Sequence, residues 1–244
     1  ATTSNNGDKD ILAMKVDSSG NYQWEKQVGT DNINDQAIDI TQDSSDNYAI
    51  ATQKDNDAVL YQLDASGNVN FEKNYNGFKA KSVQKISDGY VLAGNNRVIK
   101  TDNNGNQTDE KDLSSLGFSK IANVQQDSDG NYIVSGETTS NSGDTDFAAA
   151  KLDSSFNKTW STIGKGFGST GDEGSQITVT DDGGYLVTDP SDSTKDNLVM
   201  RFNETGVYQW ETKVANSDDT INKVTATDNG YLLTGDSSSN NKNW

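Results

Sequence analysis

The chain has 244 residues, 20 of them Lys or Arg and 37 Asp or Glu, for a formal net charge of −17 at pH 7. Such a surface repels phosphate and is not drawn to anionic lipid, which sets nucleic acid and the membrane surface aside as partners. With no Cys and no His the chain lacks disulfides, thiol nucleophiles and the commonest general base and zinc ligand, so catalysis would have to rest on carboxylates, Tyr, Ser or Lys.

In chain order, the segment Ala1-Thr2-Thr3-Ser4-Asn5-Asn6 leads into two predicted strands at 11–16 and 22–28, joined by Asp17-Ser18-Ser19-Gly20. Four longer units follow at about 36–75, 79–112, 119–163 and 175–213. The last is the plainest: residues 176–180, 185–189, 197–202 and 207–213 alternate apolar and polar side chains, the period of a half-buried strand. Asp181-Asp182-Gly183-Gly184 and Asn203-Glu204-Thr205-Gly206 separate the first and last pairs and have the chemistry of tight hairpins. The looser gap at 190–196 opens on the single proline, Pro190. Two further strands are predicted at 221–227 and 231–234.

These units are copies of one another. The Tyr opening the second strand recurs as Tyr48, Tyr90, Tyr132, Tyr185 and Tyr231, at spacings of 42, 42, 53 and 46 residues. A cationic or amide position in the third strand recurs as Lys15, Gln62, Lys100, Lys151 and Arg201. The turn after it is Asp17 to Gly20, Asp64 to Gly67, Asp102 to Gly105, Asp153 to Phe156 or Asn203 to Gly206, and four residues further on stands Trp24, Phe71, Asp109, Trp160 or Trp210. A period of this length with four strands per copy is that of a β-propeller. The expected fold is all-β: one domain over 1–244, a five-bladed β-propeller of four-stranded antiparallel blades. Its fifth blade joins 220–235 to 10–28, so that two N-terminal and two C-terminal strands close the ring and remove its free edges. The aromatic row is expected to pack blade against blade, with a weaker contact where Asp109 stands.

The pattern resembles the tandem repeats of bacterial and archaeal secreted proteins, through Asp88-Gly89-Tyr90, Asp129-Gly130-Asn131-Tyr132, Gly183-Gly184-Tyr185, and Asp17-Ser18-Ser19-Gly20-Asn21 with Trp24. Its third-to-fourth-strand segment is similar to that of quinoprotein-type propellers, where the Trp docks on the neighbouring blade. Blade number and size resemble five-bladed lectins of the tachylectin type, without a shared sugar-site motif. The resemblance implies a propeller and leaves its activity open. Acidic, Cys-free and rich in Asn, Asp, Ser, Thr and Gly, the chain reads as a surface protein of a Gram-positive bacterium. No apolar run reaches the length of a membrane span and no signal-peptide pattern opens it, so a mature or excised domain is expected.

Short, uniform turns alternate with connections of variable length, and variable loops on a rigid scaffold are where binding concentrates. Tyr75, Phe78, Phe118, Phe167 and Trp244 fall in or near them, either as exposed rings for a sugar or partner or as plugs between blades. Asp35, Asp172, Glu173, Asp218 and Asp219 precede inner strands and are candidate Ca²⁺ ligands or glycosidase acids, with Asp35, Asp172, Asp218 and Asp219 the metal candidates. Asp127-Ser128-Asp129-Gly130-Asn131 mimics a calcium loop but lacks the downstream Glu, so a hairpin turn is expected, as at 43–47. Asp39 supplies an inward carboxylate, whereas 81–84, 122–124 and 177–179 supply none, which argues against the trio a carboxylate enzyme would use. The expected function is a non-enzymatic, adhesin-like module in a larger surface protein, binding a glycan or glycoprotein through the variable-loop face. A five-bladed glycan hydrolase and a structural spacer are the alternatives.

Overall fold

A computed structural model describes residues 2–3, 8–29, 32–139, 145–163, 176–189, 197–215, 219–227 and 229–237. The chain divides into two compact units, Ala1–Glu110 and Lys111–Trp244.

In the first unit β1 (Thr2–Thr3), β2 (Lys9–Val16) and β3 (Tyr22–Val28) form a three-stranded sheet in that order. A four-stranded sheet runs β4 (Asp35–Gln42), β5 (Tyr48–Lys54), β6 (Asp57–Leu63), β7 (Val69–Tyr75), and another runs β8 (Ala80–Ile86), β9 (Gly89–Gly94), β10 (Arg97–Asp102), β11 (Gln107–Asp112). The end of β11 passes into the second unit. There a 3-10 turn at Ser114–Leu116 precedes the sheet of β12 (Phe118–Gln126), β13 (Tyr132–Thr139), β14 (Thr145–Leu152) and β15 (Lys158–Ile163). The next sheet is β16 (Gln176–Val179), β17 (Tyr185–Asp189), β18 (Asn197–Phe202) and β19 (Tyr208–Ala215), and β20 (Asp219–Thr227) pairs β21 (Gly230–Ser237).

Neighbouring strands in each sheet follow one another in sequence, and the register is constant. The repeated Tyr lies opposite the residue that precedes the Asp or Asn of the third-strand turn: Tyr48 opposite Leu63, Tyr90 opposite Thr101, Tyr132 opposite Leu152, Tyr185 opposite Phe202. First strands carry a shift at one equivalent place, between Ala37 and Asp39, Ala80 and Ser82, Ile121 and Asn123, and Ile221 and Lys223. Such bulges bend a strand and sharpen its twist. The predicted strands are found, with β20 and β21 each longer than the sequence pattern suggested because their backbones stay paired from Asp219 opposite Ser237 to Thr227 opposite Gly230.

The turns explain the repeated Asp and Asn. Asp64 Oδ1 accepts from the N–H groups of Ser66 and Asn68 at 2.8 Å each, and its Oδ2 accepts from Asn68 Nδ2 at 3.0 Å. The same three bonds form at Asp17, Asp43, Asp102 and Asp153. A carboxylate that satisfies the turn's own donors substitutes for backbone pairing that a reversal cannot supply.

The core lies between sheet faces. In the first unit Ile11, Val28, Ile50, Val59, Tyr61 and Leu63 pack with Trp24 and Tyr48, and Leu60, Tyr75, Phe78, Tyr90, Leu92 and Ile99 form a second cluster with Phe71. In the second unit Ile133, Phe147, Tyr185, Val187, Met200 and Phe202 pack with Trp160. Each such aliphatic or aromatic side chain contributes roughly 1.5–3 kcal/mol on full burial.

Candidate functional site

The most regular constellation is an aromatic and cationic seam between successive sheets. In the first unit Trp24 meets Tyr48 edge-on with centroids 5.7 Å apart, donates its indole N–H to Ala65 O at 2.9 Å, and has Lys15 Nζ 5.3 Å above the Tyr48 ring. Phe71 and Tyr90 repeat the pair at 6.4 Å, with Gln62 Nε2 donating to the Tyr90 hydroxyl at 2.5 Å. In the second unit Trp160 packs on Tyr185 at 5.6 Å, and Lys151 Nζ donates to the Tyr185 hydroxyl at 2.8 Å while pairing with Asp127 at 2.9 Å. Trp210 and Tyr231 lie 6.4 Å apart. The packing role expected of the aromatic row is therefore the one found. β11, where Asp109 stands, is exposed along its whole length.

Electrostatics follow from these contacts. Hydrogen bonds from Asn21, Asn68, Asn106 and Asn157 hold Asp17, Asp64, Asp102 and Asp153 below the usual carboxylate range. Burial pushes Asp127 up, but the Lys151 ammonium and Asn131 outweigh it and leave its carboxyl lowered. Burial likewise raises the phenols of Tyr90 and Tyr185. Asp127 is thus consumed by a turn and an ion pair, which is the hairpin role expected of 127–131. Asp39 is also occupied: its Oδ2 accepts from Val83 N–H at 2.9 Å and its Oδ1 from Ile40 N–H at 2.9 Å, tying β4 to β8.

Of the rings singled out from sequence, Tyr75, Phe78 and Phe118 are 6%, 0% and 2% exposed. The alternative of exposed stacking faces is thereby corrected, since all three are buried: Tyr75 ends β7, Phe78 lies in the connection to β8 and both join one apolar cluster, and Phe118 opens β12. Tyr75 donates its hydroxyl to Gly105 O at 2.8 Å, and Arg97 stacks 5.5 Å from the Phe78 centroid. Phe167, Asp172, Glu173, Asp218 and Trp244 lie outside the described residues, and Asp219 opens β20 with its carboxylate outside them as well. Asp35 and Asp10 are both buried, and both carboxylates crowd the place where a β-carbon on Gly29 would stand. Among the described residues no three Asp or Glu side chains converge as a metal site.

What the sequence reading missed is a groove in the first unit. It encloses about 730 Å³ and is walled by Leu12, Met14, Trp24, Ile40, Tyr48 and Leu63. Met14 and Ile40 are 61% and 58% exposed. On one side β2 pairs with β3; on the other, among the described residues, only Lys9 and Asp10 are paired, with β1. The groove therefore combines an apolar floor with a backbone edge at 11–16 that has no strand partner among the described residues, the features with which an extended strand is received. The signal was present in the alternation of Leu12, Met14 and Val16, which reads as an ordinary strand when its missing neighbour is assumed.

No protein-family model matches the chain, and no curated protein matches it. Solved structures do. The Pan2 WD40 domain of Neurospora crassa superposes with a TM-score of 0.64 at 10% identity, over 93% of this chain and 67% of that one. WD40 domains are propellers of four-stranded blades, and the four four-stranded sheets described above have that form. The chain has a β-propeller fold. BBS1N, solved in complex with ARL6DN, matches at TM-score 0.55 and 10% identity over 87% of this propeller and 66% of that chain. A protein from Lactobacillus plantarum matches at 0.55 and 11% over 91% and 70%. The propeller spans about two thirds of the length of the solved chains it matches. At these identities the likeness carries the fold and nothing of activity.

Proposed function

We propose that the five copies form one five-bladed ring, β20 and β21 supplying the inner pair of the blade whose outer pair is β2 and β3. We further propose that this ring is a non-enzymatic, adhesin-like binding module of a bacterial cell-surface or secreted protein, engaging a glycan or glycoprotein through its variable loops. The observation supporting the ring is the constant register. Extended to β21, it sets Tyr231 opposite Val16 and Leu233 opposite Met14, along the edge of β2 that has no strand partner at 11–16 among the described residues. Since the chain has no cysteine, Met14→Cys with Leu233→Cys forms an intramolecular disulfide under mild oxidation if the register is right; a disulfide-linked dimer or two free thiols would overturn closure.

Binding is favoured by how the repeat uses its polar groups. Asp17, Asp64, Asp102, Asp127 and Asp153 hold turns, and Asp39 ties strands, so variation between copies falls on the connecting loops. A glycan-array and mucin screen, run with Ca²⁺ and with chelator, tests the reading. Specific retention supports a surface lectin; no retention under either condition refutes the glycan form.

A further inference from the structure

Three stretches of the chain match Asn-x-Thr, an acceptor sequence for N-linked glycosylation: Asn106-Gln107-Thr108, Asn157-Lys158-Thr159 and Asn203-Glu204-Thr205. All three fall in or directly after the turn between the third and fourth strands of a sheet, so their place in the repeat does not separate them. The hydrogen bonds of their amide nitrogens do.

Asn106 and Asn157 close their turns. Each stands four residues after the turn Asp, and its Nδ2 donates to that carboxylate's Oδ2, at 2.9 Å to Asp102 and 3.0 Å to Asp153. A bond to a charged acceptor is stronger than one between neutral groups, so both nitrogens are committed. Asn203 stands at the opening of its turn, where the other copies have Asp. Its Oδ1 takes over the carboxylate's part, accepting from the N–H groups of Thr205 and Val207 at 3.1 and 2.8 Å and from Thr205 Oγ1 at 2.9 Å. These donors fix which end of the amide is oxygen. The residue four further on is Val207, which offers no side-chain acceptor, and Nδ2 of Asn203 donates to none of the described residues. The turn is open to solvent, with Glu204 and Thr205 exposed and Val207 56% exposed.

We propose that Asn203 is an N-glycosylation site of the folded chain, taking a sugar activated as a glycosyl diphosphate; this stands apart from the glycan-binding reading. Asn203 Nδ2 attacks the anomeric carbon, the bond from that carbon to the diphosphate oxygen breaks with its electron pair, and one amide proton leaves to a base of the transferase. The products are the N-glycosylated chain and the free diphosphate.

The folded chain is incubated with a soluble N-glucosyltransferase and UDP-glucose, and separately with an oligosaccharyltransferase and a polyprenyl-diphosphate oligosaccharide, and each Asn is read by peptide mass spectrometry. Synthetic peptides spanning the three sequences run alongside as acceptors without a turn. All three peptides are expected to be labelled, whereas the folded chain is labelled at Asn203 roughly ten times faster than at Asn106 or Asn157, the factor set by one hydrogen bond to a charged acceptor. The donor that serves the folded chain distinguishes a nucleotide carrier from a lipid carrier. Asn203→Asp restores the turn residue of the other copies, keeps Tm and abolishes labelling there, and Thr205→Ser retains it. Labelling of the peptides but not of the folded chain overturns the site. Comparable labelling at Asn106 or Asn157 in the folded chain overturns the argument from the uncommitted nitrogen.

Discussion

Two glycines with nearly the same backbone conformation separate strain from packing at a seam. Gly20 and Gly67 hold the same place in successive turns, with φ of +82° and +84°. A β-carbon at Gly20 meets nothing within 4 Å, whereas one at Gly67 lies 2.9 Å from Trp24 Cδ2 and Cε3. That indole has little room to retreat, since its N–H is bonded to Ala65 O at 2.9 Å and its edge abuts Tyr48. A left-handed conformation costs a non-glycine residue about 1–2 kcal/mol, the whole expected effect of Gly20→Ala. Crowding of a packed core adds about 1–3 kcal/mol, so Gly67→Ala is expected to cost roughly 2–5 kcal/mol. Urea unfolding followed by circular dichroism measures both. Equal losses for the two variants would refute the argument that the glycine is there for the indole.

Lys151→Met leaves the Asp127 carboxylate, which is largely buried, without its cation, and a loss of about 3 kcal/mol is expected by urea unfolding; a loss under 1 kcal/mol would mean the turn donors alone suffice. Phe156→Gly relieves a φ of +59° worth about 1–2 kcal/mol but removes a buried ring 4.9 Å from Tyr132, worth about 3–5 kcal/mol. The net is a destabilisation near 2 kcal/mol, and a stabilised variant would show that the ring contributes nothing. Because Asp17, Asp64, Asp102 and Asp153 have lowered carboxyls in the fold, their contribution is fully present above the unfolded Asp pKa of about 4 and is lost as pH falls through the folded values. The urea midpoint is expected to fall below about pH 4, and Asp64→Asn to reduce that dependence; an unchanged slope would refute it. Asn203 indicates that the substituted turn survives, as its Oδ1 accepts from Val207 N–H at 2.8 Å.

Repetition made the blades legible. Any one strand of this chain is ambiguous, but Tyr, cation, Asp turn and aromatic recurring in one order fix strand count, turn sites and the use of the Trp row together. The same regularity hid the groove of the first unit. At β2 the repeat implies a neighbour that the described strands do not provide along 11–16. Tyr75, Phe78 and Phe118 were ambiguous because strand ends and loops abut, and burial there depends on how neighbouring sheets converge rather than on local pattern. The bulges of the first strands fall at Ala37–Asp39, Ala80–Ser82 and Ile121–Asn123, stretches in which no position keeps one residue type to mark them.

Phe156 carries a consequence for how such a chain diverges. Where the other third-strand turns end in Gly20, Gly67, Gly105 and Gly206, this one ends in a ring that covers Tyr132 from within its own sheet. The copy before it in sequence has Asp109 in place of the covering aromatic. One duplicated segment can thus lend its part to the segment beside it, and once the ring resides in the turn, the outer strand of the preceding copy is released from selection for an aromatic. Nearest-neighbour coupling lets each copy drift separately in this way, so that a repeat array accumulates unlike surfaces.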